Sequence, residues 1–319
     1  MSTLLDVQHL KKYFPVASGT LHAVDDVSFT MEQGETLGIV GESGCGKSTL
    51  GKTILRLTNP TAGTVLFDGE DITACSDREF NAYRPQMQMI FQDPLSSLNP
   101  RMSIKQQIEE PLLIYNIYPD KAEREKRVLE LMDTVGLARR YAEMYPHELD
   151  GGRRQRIGIA RGLSLNPKLI ICDEPVSALD VLIQAQILNL LQDLQKEKGL
   201  TYMFITHDLS VVKHISNNIC VMYLGQIVEQ SESKELFSNT LHPYTKALLS
   251  AIPVPSLQKK RERIILKGEL TSPINPKEGC RFAPRCLYAT EECFHSTPKL
   301  RDMGNGHKVA CHRAEELNK

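Results

Sequence analysis

The stretch GIVGESGCGKST, residues 38–49, constrains the fold of this chain more than any other. Its glycines let consecutive backbone N–H groups turn toward one point, and a helix that begins at its end would add a positive N-terminal end. We therefore predict a phosphate-binding loop that follows a strand and opens a helix. The alternative is a glycine-rich turn without a ligand. The predicted contacts are made by Gly41, Glu42, Ser43, Gly44, Cys45, Gly46, Lys47, Ser48 and Thr49.

The order G-x-x-x-x-G-K-[ST] in this loop assigns separate roles to its last residues. In this pattern the lysine reaches the β- and γ-phosphates of a nucleotide, and the hydroxyl residue binds Mg²⁺. Lys47 and Ser48 hold these two positions. We predict that the loop binds a nucleoside triphosphate, together with Mg²⁺.

Two further apolar runs end in residues suited to phosphate chemistry. LIICDEP ends in Asp173, which can hold Mg²⁺, and Glu174, which can orient or deprotonate an attacking water. FITHDLS carries His207, which could contact the γ-phosphate. The alternatives are a solvated strand end for the two acids and a structural role for the histidine.

Strand and helix patterns alternate along most of the chain and predict an α/β fold. Residues 1 to about 75 are strand-like, residues 102–148 are helix-like, and the continuous apolar runs KLIICDE and TYMFITHD fit a buried parallel sheet. A proline- and charge-rich segment, IPVPSLQKKRER, places a domain boundary near residue 255. The segment that follows has little periodicity.

Bulk properties exclude several classes of protein. The formal net charge of -1 gives no electrostatic basis for binding nucleic acid. No apolar run approaches the roughly 18 residues of a membrane span, and the N-terminus lacks the pattern of a signal peptide. We expect a cytoplasmic protein that can dock on a membrane protein.

Four late cysteines, spaced C-x5-C-x6-C-x17-C, predict a metal site in a reducing compartment. No C-x-x-C pair is present in this part, so a common zinc ribbon fits poorly. Four thiolates suit a [4Fe–4S] cluster or Zn²⁺, and unliganded thiols remain the third possibility. The residues are Cys280, Cys286, Cys293 and Cys311.

The motifs together resemble those of an ATP-binding cassette (ABC) transporter ATPase over residues 4 to about 230. GESGCGKS, FQDP, LDGGRRQRIGIARGL, LIICDEP, SALD and ITHD stand in that family's order. LHPYTKALLSAIP and the late cysteines are similar to the ATPase subunits of bacterial dipeptide/oligopeptide importers. The resemblance implies an ABC ATPase domain at 1–255 with a helical subdomain at about 90–150, and a loop-rich C-terminal extension at 256–319. It also favours [4Fe–4S] over zinc.

The same resemblance implies roles for individual residues and partners. Gln92 is the Q-loop residue near Mg²⁺, His207 is the switch histidine, and residues 178–180 belong to the D-loop. Phe14, or as second choice Tyr13, would stack on adenine; the alternative is a core aromatic. Two ATPase subunits would bind ATP between them and act on two membrane permease subunits, with an extracytoplasmic binding protein as an indirect partner.

The signature motif departs from the family. The family usually has Ser at the position of Asp150 and Gln at that of Arg153, and its signature serine and glycines, here Asp150, Gly151 and Gly152, face the γ-phosphate bound to the other subunit. A carboxylate there would cost several kcal/mol where water is excluded. Asp150 is equally suited to cap a helix, with Arg153 paired to it or turned to the phosphate. Either case favours a heterodimer, in which only one ATP site meets this motif.

Three functions remain at this point. The first is the ATPase subunit of a dipeptide or oligopeptide importer, located at the cytoplasmic face of the membrane. The second is the same role in a nickel or metallophore importer. The third is a soluble ABC ATPase that acts on DNA or ribosomes. That function predicts a basic face, a long coiled-coil insertion or two cassettes, whereas this chain has one cassette, no long coiled coil and a near-neutral charge.

Overall fold

The computed structural model describes residues 2–252, 263–266, 268 and 272–318. The boundary predicted near residue 255 lies outside these described residues. Their strands are β1 Thr3–Val16, β2 Gly19–Glu32, β3 Thr36–Val40, β4 Ala62–Phe67, β5 Glu70–Asp71, β6 Met87–Ile90, β7 Leu169–Asp173, β8 Thr201–Thr206, β9 Asn218–Tyr223, β10 Gln226–Glu232, β11 Arg301–Asp302 and β12 Lys308–Val309.

Helices alternate with these strands, which confirms the α/β class. The α-helices in the described part of the chain are α1 Lys47–Ile54, α2 Asp77–Phe80, α3 Pro94–Ser97, α4 Ile104–Ile114, α5 Lys121–Thr134, α6 Gly151–Leu163, α7 Val181–Lys198, α8 Leu209–Ile215, α9 Ser233–Ser238, α10 Pro243–Ser250, α11 Glu291–His295 and α12 Ala314–Leu317. None of them is long and apolar enough to cross a membrane.

The chain separates into two compact units. We call one the helical unit; it consists of Ser2, Glu32–Glu35 and Cys75–Ile205. We call the other the phosphate-loop unit; it consists of Thr3–Met31, Thr36–Ala74 and the described residues from Thr206 onward. Each is described below by itself.

In the helical unit, three parallel strands lie beside a group of packed helices. β7 pairs in parallel with β6 and with β8. All five residues of β7 are buried, as expected for a central parallel strand with both faces covered. Helices α4, α5 and α6 pack against one another. The helix-like segment predicted at 102–148 is divided into α4, α5 and two short 3₁₀ turns, because capping side chains at Ser103 and Asp120 start separate helices.

The phosphate-loop unit has two groups of strands. One has the order β2-β1-β4-β5. In the other, β3 pairs in parallel with β9, and β9, β10, β12 and β11 follow as antiparallel neighbours. The weakly periodic C-terminal extension therefore adds two short strands, β12 and β11, beside β10. The sequence pattern did not predict these strands, since each is two residues long.

A buried carboxylate holds the extension against β10. Glu229 is completely buried, and its oxygens accept hydrogen bonds from the backbone N–H of Leu241 at 2.6 Å and of His242 at 3.1 Å, and pair with Nε2 of His307 at 2.9 Å. Burial lowers the pKa of His242 to about 4, so its neutral ring accepts the N–H of Tyr244 through Nδ1 at 3.0 Å. These bonds fix the start of α10, the helix that carries Tyr244.

Candidate nucleotide-binding site

The predicted phosphate loop lies between the end of β3 at Val40 and the start of α1 at Lys47. Gly46 has a φ of 106°, and a Cβ on it would lie 2.0 Å from the carbonyl oxygen of Ala23. A Cβ on Gly41 would lie 2.2 Å from the carbonyl oxygen of Met222. No other residue type fits these two positions. At the tip of the loop, Ser43 and Gly44 are exposed.

The Lys47 side chain folds back over the loop that precedes it. Its Nζ donates to the carbonyl oxygens of Gly41 at 2.8 Å and Glu42 at 2.9 Å, and the residue is 4% exposed. The two carbonyl oxygens thus hold the Lys47 ammonium at the loop, where it could also donate to a phosphate oxygen. Burial raises the pKa of the Cys45 thiol beside it, so no thiolate opposes an anion there.

Two residues from distant parts of the chain bind Glu42, one through its carboxylate and the other through its backbone N–H. Arg285 donates Nη1 and Nη2 to its two oxygens at 2.7 and 3.2 Å. The backbone N–H of Glu42 donates to the Tyr244 hydroxyl at 2.9 Å. Sequence analysis missed both contacts; the only signals were Arg285 next to a cysteine and Tyr244 within LHPYTKALL.

Of the two aromatic candidates for adenine stacking, Tyr13 is already engaged. Its ring stacks on His22 with centroids 3.8 Å apart, and its hydroxyl bonds to Asp25. Phe14 is half-buried, and the ammonium of Lys12 lies 4.7 Å from its ring centroid. Both residues are on β1, in the phosphate-loop unit.

In the helical unit, β7 ends in Asp173, and Glu174 follows in an unusual conformation. Glu174 has a φ of 46°, in the left-handed region that residues other than glycine rarely adopt. Its N–H donates to Ile205 O at 2.9 Å, which holds this backbone in place. Gln92 Nε2 donates to its carboxylate at 3.2 Å. The structure thus brings together two predicted site residues, Gln92 and Glu174, which are 82 positions apart.

Asp150 is the N-cap of α6. One carboxylate oxygen accepts the N–H of Arg153 at 2.8 Å, and the other pairs with the Arg153 guanidinium. The guanidinium also lies 5.1 Å from the ring centroid of Tyr141. Behind the cap, a Cβ on Gly152 would lie 2.7 Å from Ile183 Cγ2, so α6 packs closely on the start of α7. The capping role and the pairing with Arg153, both given above as alternatives, are what this helix end shows.

His207 and the late cysteines belong to the phosphate-loop unit. His207 is exposed just before α8. All four late cysteines line one small cavity, together with His242 and Phe282, and the N–H of Cys280 donates to Cys293 O at 2.7 Å. Among the residues that the structure describes, no three His, Cys, Asp or Glu groups are arranged to hold a metal ion. The metal site therefore stays a prediction.

Comparisons with known proteins agree with this set of motifs. The ABC transporter family matches residues 24–177, and the family described as oligopeptide/dipeptide transporter, C-terminal region, matches residues 228–293. The chain is 55% identical over 312 residues to the putative oligopeptide transport ATP-binding protein YkfD of Bacillus subtilis, covering 97% of this chain and 95% of that protein. It is 50% identical over 315 residues to the dipeptide transport ATP-binding protein DppF of Haemophilus influenzae, covering 97% and 96%.

The chain belongs to the ATP-binding subunits of ABC transporters, in the oligopeptide/dipeptide group. The predicted ABC ATPase fold is confirmed by solved structures. The dimeric cassette MJ0796 bound to ADP and Pi has a TM-score of 0.66 and 30% identity, and the match covers 72% of this chain and 99% of that one. A second cassette, cbiO1 of Clostridium perfringens, has a TM-score of 0.67 and 31% identity, with 75% and 92% covered. Membership of this family makes the protein an ATPase.

Proposed function

We propose that this ABC ATPase powers the import of dipeptides or oligopeptides through a membrane transporter. The observation that carries the proposal is the match of residues 228–293 to the C-terminal region of oligopeptide/dipeptide transporters, in addition to the cassette itself. We also propose the division into an ATPase domain at 1–255 with a helical subdomain at about 90–150, and an extension at 256–319. A nickel or metallophore importer remains the alternative within transport.

We assign the catalytic roles by the family pattern. Lys47 would stabilise phosphate charge, Glu174 would activate the attacking water, and His207 would contact the γ-phosphate. The hydrogen bond from Gln92 and the constrained backbone of Glu174 support a positioned base rather than a mobile surface acid. Mg²⁺ would neutralise charge on the phosphates, held by Ser48, Asp173 and Gln92. For adenine we prefer Phe14, because the Tyr13 ring stacks on His22 and its hydroxyl is bound to Asp25.

We propose two permease subunits as partners and a peripheral position on the cytoplasmic face of the membrane. The helical unit supports this with apolar side chains that remain exposed: Leu113 is 53% exposed, and Ile114 is 69% exposed. Both lie at the end of α4. An exposed apolar group at a helix end suits contact with a protein partner better than contact with water. An extracytoplasmic binding protein would deliver the cargo, and no nucleic acid is involved.

We propose a second, different ATPase subunit as the dimer partner. The Asp150 side chain accepts a hydrogen bond from an N–H at the start of α6, a donor that a phosphate could otherwise use. Its carboxylate also places negative charge where the phosphate would lie. Arg153 offsets that charge only in part, because both side chains are about half exposed. In a homodimer both ATP sites would carry this feature. In a heterodimer, this subunit's own Lys47 and Glu174 would work against a partner's unaltered signature.

We propose that the four late cysteines hold a [4Fe–4S] cluster, with Zn²⁺ as the alternative. Their convergence on one cavity and their soft sulfur donors fit either group. Burial raises the pKa of Cys280 to about 11 and also raises those of Cys286 and Cys311, so binding of the cluster or metal ion would have to release protons. The bound group would stabilise an extension with few apolar residues of its own.

Glu174→Gln tests the function in the assembled transporter. We expect ATP to bind as in the wild type, while hydrolysis and uptake of a labelled peptide in proteoliposomes fall by at least about 100-fold, because the attacking water loses its base. Normal hydrolysis in the variant would remove Glu174 from this role. Wild-type hydrolysis that responds to nickel chelates but not to di- or oligopeptides would overturn the assignment of cargo.

Asp150→Ser tests the heterodimer. With both ATPase subunits present, we expect the rate of ATP hydrolysis to rise, by at most about two-fold, because the second ATP site would become active beside the first. Asp133→Ser is the matched control, because Asp133 is another exposed carboxylate of the helical unit that pairs with an arginine. Unchanged turnover, or a stable and active homodimer of this chain alone, would contradict the proposal.

Purification without oxygen tests the cysteine site. We expect a brown protein that contains iron and sulfide in equal amounts, and the colour should disappear in a Cys286→Ser variant, because a thiolate ligand is lost. The matched control is Cys75→Ser, a cysteine outside the extension. A colourless preparation with stoichiometric zinc, or with neither metal, would overturn the cluster.

A further inference from the structure

The C-terminal extension reaches the phosphate loop through Arg285. Its guanidinium binds both carboxylate oxygens of Glu42, the second residue of the loop, at 2.7 and 3.2 Å. The two side chains are 11% and 27% exposed, so water screens this pair less than a surface ion pair. A bidentate pair also fixes direction, because the planar guanidinium matches the plane of the carboxylate.

A second contact holds the backbone of the same residue. The N–H of Glu42 donates to the hydroxyl of Tyr244 at 2.9 Å. Tyr244 is completely buried and packs on two other rings, with centroids 4.7 Å from Tyr223 and 5.4 Å from Phe282. Because the Tyr244 ring is buried in this aromatic cluster, its hydroxyl is held as an acceptor for the loop.

A third contact reaches the strands beside the adenine candidates. Arg281 donates to the carbonyl oxygen of Leu224 and to the carboxylate of Asp25, and its side chain is 10% exposed. Asp25 in turn binds the hydroxyl of Tyr13. The extension thus contacts both the phosphate loop and the β1–β2 segment, all within the phosphate-loop unit.

These contacts matter because the loop itself is poorly constrained. Its three glycines allow many backbone conformations. Ordering the loop costs conformational entropy, and this cost weakens ligand binding unless other parts of the protein already hold the loop in one conformation. Glu42 also places a negative charge in a loop that must receive phosphate. Arg285 neutralises that charge while it holds the loop.

We propose that Arg285 of the C-terminal extension and Tyr244 of α10 are positioning residues that preorganise the phosphate loop for ATP, and that Arg285 thereby makes the extension part of the nucleotide site. The proposal rests on the nucleotide site proposed above. Neither residue touches the nucleotide in this account; each acts through Glu42. The extension therefore sets the affinity for ATP, while the chemistry of hydrolysis stays with Glu174.

The test measures MgATP binding to the full chain by calorimetry, and the ATPase activity of the assembled transporter. For Arg285→Ala we expect the Kd and the KM for ATP to rise roughly ten-fold, with kcat at saturating ATP nearly unchanged. Arg285→Lys should fall between this variant and the wild type, because it keeps the charge but not the bidentate geometry. Arg301→Ala is the matched control; it removes an exposed ion pair of the same extension and should leave the Kd unchanged.

A double-mutant cycle separates the effect of the Glu42–Arg285 pair on ATP binding from general damage to the fold. Glu42→Gln combined with Arg285→Ala should bind ATP no more weakly than Arg285→Ala alone, since the two side chains act as one pair. Additive losses, an equal loss in Arg301→Ala, or an unchanged Kd in Arg285→Ala would overturn the proposal. The Lys47→Ala variant tests the nucleotide site on which the proposal rests. If this variant binds MgATP normally, the proposed nucleotide site itself is wrong.

Discussion

The hydrogen bonds from the Lys47 ammonium to the carbonyl oxygens of Gly41 and Glu42 are the interaction on which the site depends. They require the backbone between β3 and α1 to curl around one charge. That curl brings Gly41 and Gly46 against neighbouring carbonyl oxygens, where a Cβ has no space. It also turns the N–H of Glu42 toward Tyr244. Lys47 thus holds the loop from inside, while Tyr244 and Arg285 hold Glu42 from outside.

In the helical unit, both the backbone and the side chain of Glu174 are held in place. Glu174 follows a fully buried strand, and its left-handed backbone is kept in place by its bond to Ile205. Gln92 then binds the carboxylate directly. Strain of this kind persists only where the surrounding structure imposes it, and it is concentrated at functional sites.

Local chemistry was predictable from the sequence, and contacts between distant segments were not. The glycine spacing, the apolar run before Asp173 and the capping potential of Asp150 each lie within a few residues, so the sequence alone indicates them. Arg285 and Glu42 are 243 positions apart, and nothing in either segment identifies the other as its partner. The cysteine spacing likewise predicts that the four side chains could meet, but it does not fix the distances between their sulfurs, which the fold of the extension decides.

The C-terminal extension of this ABC ATPase contacts the phosphate loop directly. Residues outside the cassette motifs hold the loop that the motifs define, and a buried carboxylate, Glu229, joins the extension to β10. The nucleotide site proposed above therefore includes, beside its family motifs, the residues that hold Glu42 in place. We therefore expect the loop of the free protein to be ordered before ATP binds.

Backbone amide hydrogen exchange in the full chain, with and without MgATP, tests this claim most directly. We expect slow exchange at the Glu42 amide in the free protein, because that N–H is bonded to Tyr244, and slower exchange across residues 41–49 when MgATP is present. Rapid exchange at Glu42 in the free protein, or exchange across residues 41–49 that MgATP leaves unchanged, would contradict it.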